Sequence, residues 1–236
     1  AFIRKGVDKD DNKSFINAIA KVANITVEKL MRKIITNLSP LLFIKLNNGE
    51  LVKHFGTDEE QLNDKYNIFK KWCQTYPDFI SYLEADILTS IDFSTIDEYI
   101  ANPKNNTEEV SKIIRVIRVF YAFEYFKKYL ADDNIQKDFN HLWNLFSEKN
   151  YWLFKTGMNI LIIEKEDSNG DEKINIICPT NNNISYLYHP KKPCCIIYKN
   201  KNLFEPIILV ESLQNKYYEK TYFTPSNLSS KNYNII

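Results

Sequence analysis

Two stretches decide how this chain is read: D-N-K-S-F-I-N-A-I, Asp11 to Ile19, and its distant counterpart N-L-F-E-P-I-I-L, Asn202 to Leu209. In the first, Ser14 is placed to cap a helix whose apolar positions Phe15, Ile16, Ile19, Val22 and Ala23 form a wide stripe. Such a stripe suits a helix enclosed by the rest of a fold. In the second, an apolar run follows a turn at Asn200 to Asn202. Pro206 cannot donate a ladder hydrogen bond, which places it at the beginning of a strand or on a sheet edge.

Outward from the first stretch the chain reads as helical. Thr26 caps an amphipathic segment through Leu38, with Val27, Leu30, Met31, Ile34, Ile35 and Leu38 recurring at three and four. Ser39 and Pro40 restart the chain as N-cap and first helical residue, and Asn48-Gly49 marks a turn. From Thr57 to Tyr99 the pattern breaks into short pieces: Thr57 and Glu60 form a capping box, Pro77 interrupts, and Tyr66, Phe69, Trp72 and Phe79 supply the apolar face. Asn102 to Asn106 is the best internal break. Asn106 with Glu109 reads as a second capping box, opening the longest helix, to about Leu130. A further helix lies around Phe139, Leu142, Trp143 and Phe146. Most aromatic residues sit at helical spacing beside Ile and Leu, so they pack a core rather than stack on bases.

After Asn150 the grammar changes to strands. Asn159 to Glu164 and Lys173 to Cys178 are apolar runs joined by D-S-N-G-D-E, a polar turn with Asn-Gly, and read as a hairpin. Cys194 to Tyr198 and Phe204 to Val210 repeat that arrangement. A buried N-terminal helix, a helical lobe and a C-terminal antiparallel sheet make an α+β fold.

Composition narrows the classes. With 31 basic and 30 acidic residues and a net charge of +1, the chain lacks the global electrostatic footprint of a nucleic-acid binder. Cys73, Cys178, Cys194 and Cys195 lack the paired spacing of structural zinc and read as reduced, buried thiols, implying a reducing compartment and no metal. No apolar run approaches the ~20 residues needed to cross a bilayer, and the first residues lack a signal-peptide core. Richness in Ile, Lys, Asn and Tyr with only five Gly matches AT-rich genomes, such as those of certain protists and large DNA viruses. A start on Ala1 rather than Met reads as a segment of a longer protein.

The two end stretches together resemble the halves of a cysteine-peptidase site of the ovarian-tumour (OTU) type, within the papain-like class. That family carries D-G-N-C-L-F-R-A-I, with the nucleophilic cysteine at the start of a buried helix, and a late strand beginning H-Y whose histidine is the base. Asp11, Ala18 and Ile19 match that pattern, Ser14 takes the cysteine position and Leu203 the histidine position. The resemblance therefore implies the fold and argues against the chemistry, because a serine with no imidazole is a very weak nucleophile at neutral pH. The serine-containing S-F-x-x-A-I and the F-E-P-I strand are also similar to OTU-like segments in very large proteins of nucleocytoplasmic large DNA viruses. Those segments commonly lack the catalytic pair and sit inside transcription-related or virion polypeptides.

Each candidate site residue has a plain alternative. Ser14 is a nucleophile, a cysteine replaced by serine, or an N-cap hydroxyl, and the cap needs no partner. His189, in Y-H-P, is the weak candidate for a substitute base, or else a solvated loop histidine. His54 and His141 read as surface or boundary residues of helices. Glu205 follows the lost base and faces the old cleft, or makes a structural hydrogen bond. Lys191, Lys192, Lys199 and Lys201, near Tyr186, Tyr188 and Tyr198, form a basic stretch able to touch phosphates or an acidic partner. Its alternative is a set of solvated lysines guarding an edge strand.

The expectation is one OTU-like domain over residues 1–236, with its helical lobe at about 26–149 and its sheet at about 150–223. It has no intact catalytic site, cofactor or membrane segment, and serves as a protein-interaction module within a larger viral protein in the host cytoplasm or the virion. Its partner would be ubiquitin or another viral polypeptide. The alternatives are an OTU deubiquitinase seen in a Cys-to-Ser form and a viral transcription-associated domain touching nucleic acid.

Overall fold

The computed structural model describes residues 1–7, 12–56, 66–87, 92, 94, 97–98, 102, 107–168, 171–177, 188–214 and 216–224. The chain divides into two compact units, residues 1–37 with 130–236, and residues 38–129. Its class is α+β.

The first unit is built on a six-stranded sheet. Its strands are β1 (Phe2–Arg4), β2 (Asn159–Ser168), β3 (Asp171–Ile177), β4 (Cys194–Asn200), β5 (Leu203–Leu213) and β6 (Lys216–Lys220). The order is β1-β5-β4-β2-β3, with β6 also paired to β5. Both expected hairpins form: β2 pairs antiparallel with β3 and β4 with β5. The turn between β4 and β5 places Lys201 at φ 55. The two hairpins join differently from the expected antiparallel sheet, because β2 and β4 run parallel, with Ile160 opposite Cys195 and Ile162 opposite Ile197. The sheet is mixed. The physical reason is that β4 takes its place beside the first strand of the preceding hairpin, leaving β3 at the end of the sheet.

Helix α1 (Ser14–Val22) lies against β5, and eight of its nine residues are buried. Its stripe packs on the face carrying Ile160, Ile162, Cys195 and Ile197, all 0% exposed. α1 ends in a left-handed Asn24, φ 53, and its last carbonyls are all bonded: Ile19 O by the Ala23 N–H, Ala20 O by Ile25, Lys21 O by Asn24 and Val22 O by the Thr221 hydroxyl. Helix α2 (Val27–Asn37) follows, with the Thr26 hydroxyl accepting from the Lys29 N–H at 3.3 Å, the expected cap.

The second unit is helical and aromatic. It comprises α3 (Pro40–Phe43), a 3₁₀ turn (Leu46–Gly49), α4 (Glu50–Phe55), α5 (Tyr66–Thr75), α6 (Pro77–Ile87) and most of α7 (Glu108–Ala131). Ser39 caps α3 as expected, its hydroxyl accepting from the Leu42 N–H. Asn47, Asn48 and Gly49 are successively left-handed, a run that Asn and Gly tolerate best. The expected aromatic packing is present: Phe43 meets Phe123 and Phe126, and Trp72 meets Phe79 and Phe120, with ring centroids 5.2–5.8 Å apart. At the start of α7 the Thr107 hydroxyl accepts the Val110 N–H at 3.3 Å, and the expected cap Asn106 lies outside the described residues. The capping box at Thr57 and Glu60 lies outside the described residues.

Helix α8 (Phe139–Ser147) belongs to the first unit, and Asp138 caps it by accepting the Asn140 N–H at 2.8 Å. Among the described residues no helix is long and apolar enough to cross a membrane, and no group of His, Cys, Asp and Glu could hold a metal ion.

Candidate functional site

Along β5 successive backbone groups alternate between the strand's two flanks. One flank faces β4, which pairs with Leu203 to Ile207. The other faces β1, three residues long, which pairs only with Ile207 to Leu209 and adds a bond from the Lys5 N–H to Pro206 O at 2.9 Å. Two N–H positions on that flank lie at or beyond the reach of β1. At Pro206 there is no N–H to satisfy, so proline is tolerated inside a paired strand. At Phe204 the N–H donates to the Ser14 hydroxyl at 2.7 Å.

Ser14 is therefore not the cap of α1. Lys13 occupies that position without a side-chain capping bond, and Ser14 is the first helical residue, 1% exposed. Its hydroxyl has one hydrogen-bond partner among the described residues, a strand N–H 190 residues away, and no imidazole. A ring cluster closes around it: Phe15 lies 5.4 Å from Phe204, 6.1 Å from Phe139 and 6.0 Å from Phe146, and Phe139 lies 5.7 Å from Phe204.

The residues before α1 are held by the α7–α8 connection. The Lys137 N–H donates to Asn12 O at 2.7 Å, the Asn12 amide donates to Asp133 O at 3.2 Å, and Lys13 pairs with Asp133 at 2.6 Å. The hydrogen bond and charge of Lys13 hold the Asp133 carboxyl below the usual carboxylate range. The Lys137 side chain, 3% exposed, turns back onto its own loop and donates to the carbonyls of Asp132 and Ile135.

The other candidate residues lie elsewhere. Leu203 and Glu205 alternate with Phe204 and occupy the opposite face of the sheet from the Phe15 cluster. There Glu205 pairs with Arg4 at 3.5 Å, and the Arg4 guanidinium lies 4.9 Å from the centre of the Tyr198 ring. Glu205 thus makes a structural ion pair. His189 is an exposed loop residue whose Nδ1 accepts from the Lys191 N–H at 3.2 Å. Asp11 lies outside the described residues. In the basic stretch, Lys199 pairs with Glu164, and Lys192 donates to Ser147 O at 3.1 Å. Lys191 and Lys201 are exposed, and Tyr186 lies outside the described residues.

Cys73, Cys194 and Cys195 are free and buried. Burial pushes the Cys73 and Cys194 thiols up to about 12 and that of Cys195 well above the ordinary range. None is poised as a nucleophile. Cys178 lies outside the described residues.

The sequence reading missed Asn159, 2% exposed at the start of β2. Its amide donates to His189 O at 2.8 Å and Lys192 O at 3.1 Å, and its carbonyl accepts from the His189 N–H at 2.8 Å. One side chain thereby fixes the loop entering β4. The available signal was a polar residue opening an otherwise apolar strand.

No family model and no solved structure matches the chain. It is similar to an uncharacterized protein of Acanthamoeba polyphaga mimivirus, 26% identical over 179 residues that cover 70% of the chain. The chain corresponds to about a tenth of that relative's length, 10%. A distant relative thus lies in a nucleocytoplasmic large DNA virus, the source to which the composition pointed.

Proposed function

We propose that this chain is a catalytically inert, OTU-like domain of the papain-like class that acts as a protein-interaction module within a larger viral protein. The observation that carries the inertness is the state of Ser14. A hydroxyl that is buried and occupied by the Phe204 N–H has neither a base to take its proton nor an open path to a substrate carbonyl. Support for the papain-like assignment comes from the same contact, in which the first residue of a buried helix adjoins the beginning of a late strand, while Leu203, at the base position, faces the other side of the sheet. The large size of the distant viral relative supports a role inside a longer polypeptide. A scaffold of this kind keeps a recognition surface after its chemistry is gone. Incubation with ubiquitin chains and fluorogenic ubiquitin at large molar excess of the protein tests the reading. No product is expected, and turnover that disappears in Ser14→Ala would overturn it.

A further inference from the structure

Where α1 ends, the first unit holds an open cavity of about 650 Å³, a size that takes a small organic molecule. Its walls come from three segments: Lys5 beyond β1, the α1–α2 junction from Lys21 to Thr26, and Glu219, Thr221 and Tyr222 at the end of β6. Hydrogen bonds fix these walls relative to one another. The Thr221 hydroxyl donates to Val22 O at 2.8 Å, the Ile25 N–H to Ala20 O at 3.0 Å and the Lys5 N–H to Pro206 O at 2.9 Å, and the Lys5 ammonium pairs with the Glu219 carboxylate. The cavity is therefore formed before any ligand arrives.

The lining selects the ligand by what it leaves unbonded. Among the described residues the Lys21 ammonium has no ion pair or hydrogen bond, and neither the Asn24 carboxamide nor the Tyr222 hydroxyl has a hydrogen-bond partner. The charge of Glu219, the acid of the lining, is met by Lys5, and Glu28, outside the lining, is bonded by its own N–H and the Thr26 hydroxyl. Lys21 thus supplies the unmatched charge, a cation, and all three unbonded groups can donate. A carboxylate presents two oxygens to them, whereas a phosphate monoester presents three and the larger negative charge. The volume far exceeds a phosphate group alone. Ile25 and the Tyr222 ring, 44% exposed, offer an apolar wall for the rest of the molecule.

We propose that this cavity binds a small organic phosphate monoester, its phosphoryl oxygens on Lys21, Asn24 and Tyr222 and its apolar body against Ile25. This inference goes beyond the papain-like reading and does not depend on Ser14. The test titrates the isotope-labelled whole chain with phenyl phosphate, inorganic phosphate, benzoate and benzylammonium, following the backbone amides by NMR. Phenyl phosphate should shift the Lys21, Asn24 and Ile25 amides saturably with a Kd below about 1 mM, at least about fivefold more tightly than the other three probes. Lys21→Gln, at an exposed position, should weaken phenyl phosphate at least about fivefold while leaving amide dispersion elsewhere unchanged, and Tyr222→Phe should weaken it too. The absence of saturable shifts up to about 10 mM, equal or tighter binding by benzoate or benzylammonium, or an unchanged affinity in Lys21→Gln would overturn the proposal. Equal binding by inorganic phosphate would also overturn it, by leaving the apolar wall without a role.

Discussion

Removing the Ser14 hydroxyl would leave the Phe204 N–H, enclosed by Phe15 and Phe139, without its acceptor. A buried donor stripped of its partner costs about 1–3 kcal/mol, so Ser14→Ala should lower the unfolding free energy by that amount, read as a lower urea midpoint with an unchanged slope. A loss under about 0.5 kcal/mol would show that the bond contributes little. Asn159→Ala removes three side-chain hydrogen bonds at once and should cost roughly 2–4 kcal/mol, read from the same urea titration. The variant should also expose residues 188–193 to proteolysis before the rest of the unit unfolds. Both residues show where reading a sequence stops. Helical periodicity placed Ser14 at the start of a buried helix, but a hydroxyl followed by a helix reads locally as a cap. Its true partner is set by the shortness of β1, a property of tertiary pairing.

Among elements, the α7–α8 connection has a defined response to pH. The Asp133 carboxyl titrates below the ordinary carboxylate range because Lys13 bonds and attracts its charged form. A depressed carboxyl contributes stability that is present above its unfolded value, ~3.9, and lost as pH falls through its lower folded value. The thermal midpoints of wild type and Asp133→Asn should therefore differ near neutral pH and converge as the medium becomes more acidic than that folded value. The pair is exposed, so the difference should be small and shrink with salt. Midpoints that diverge on acidification would contradict the ion pair. Both strand hairpins were legible, because apolar runs flanked by Asn-Gly or Lys-Asn turns fix antiparallel partners locally. The parallel β2–β4 junction was not, since each hairpin has two apolar strands and nothing local selects which of them meets the next. The cap of α8 was equally available in sequence: Asp138 precedes Phe139, and only the stretch around it, rich in other polar residues, hid it.

For the whole molecule, both units keep their described cysteines dry. With their thiols pushed far above neutral pH, Cys73, Cys194 and Cys195 should stay unmodified by N-ethylmaleimide in the native chain and react in urea, as peptide mapping by mass spectrometry would show. Rapid native labelling of any of the three would contradict their burial. The same physics gives the most direct test of whether position 14 is structural or a nucleophile's seat. A Ser14→Cys variant should place its thiol where the hydroxyl now lies, enclosed and with no imidazole bonded to it. The measurement is its alkylation rate by iodoacetamide against pH. The account predicts slow reaction, with an apparent pKa at or above the unperturbed ~8.5 and a rate that follows opening of the fold. Fast alkylation at neutral pH with a depressed pKa would reveal a base beside the thiol and contradict the account.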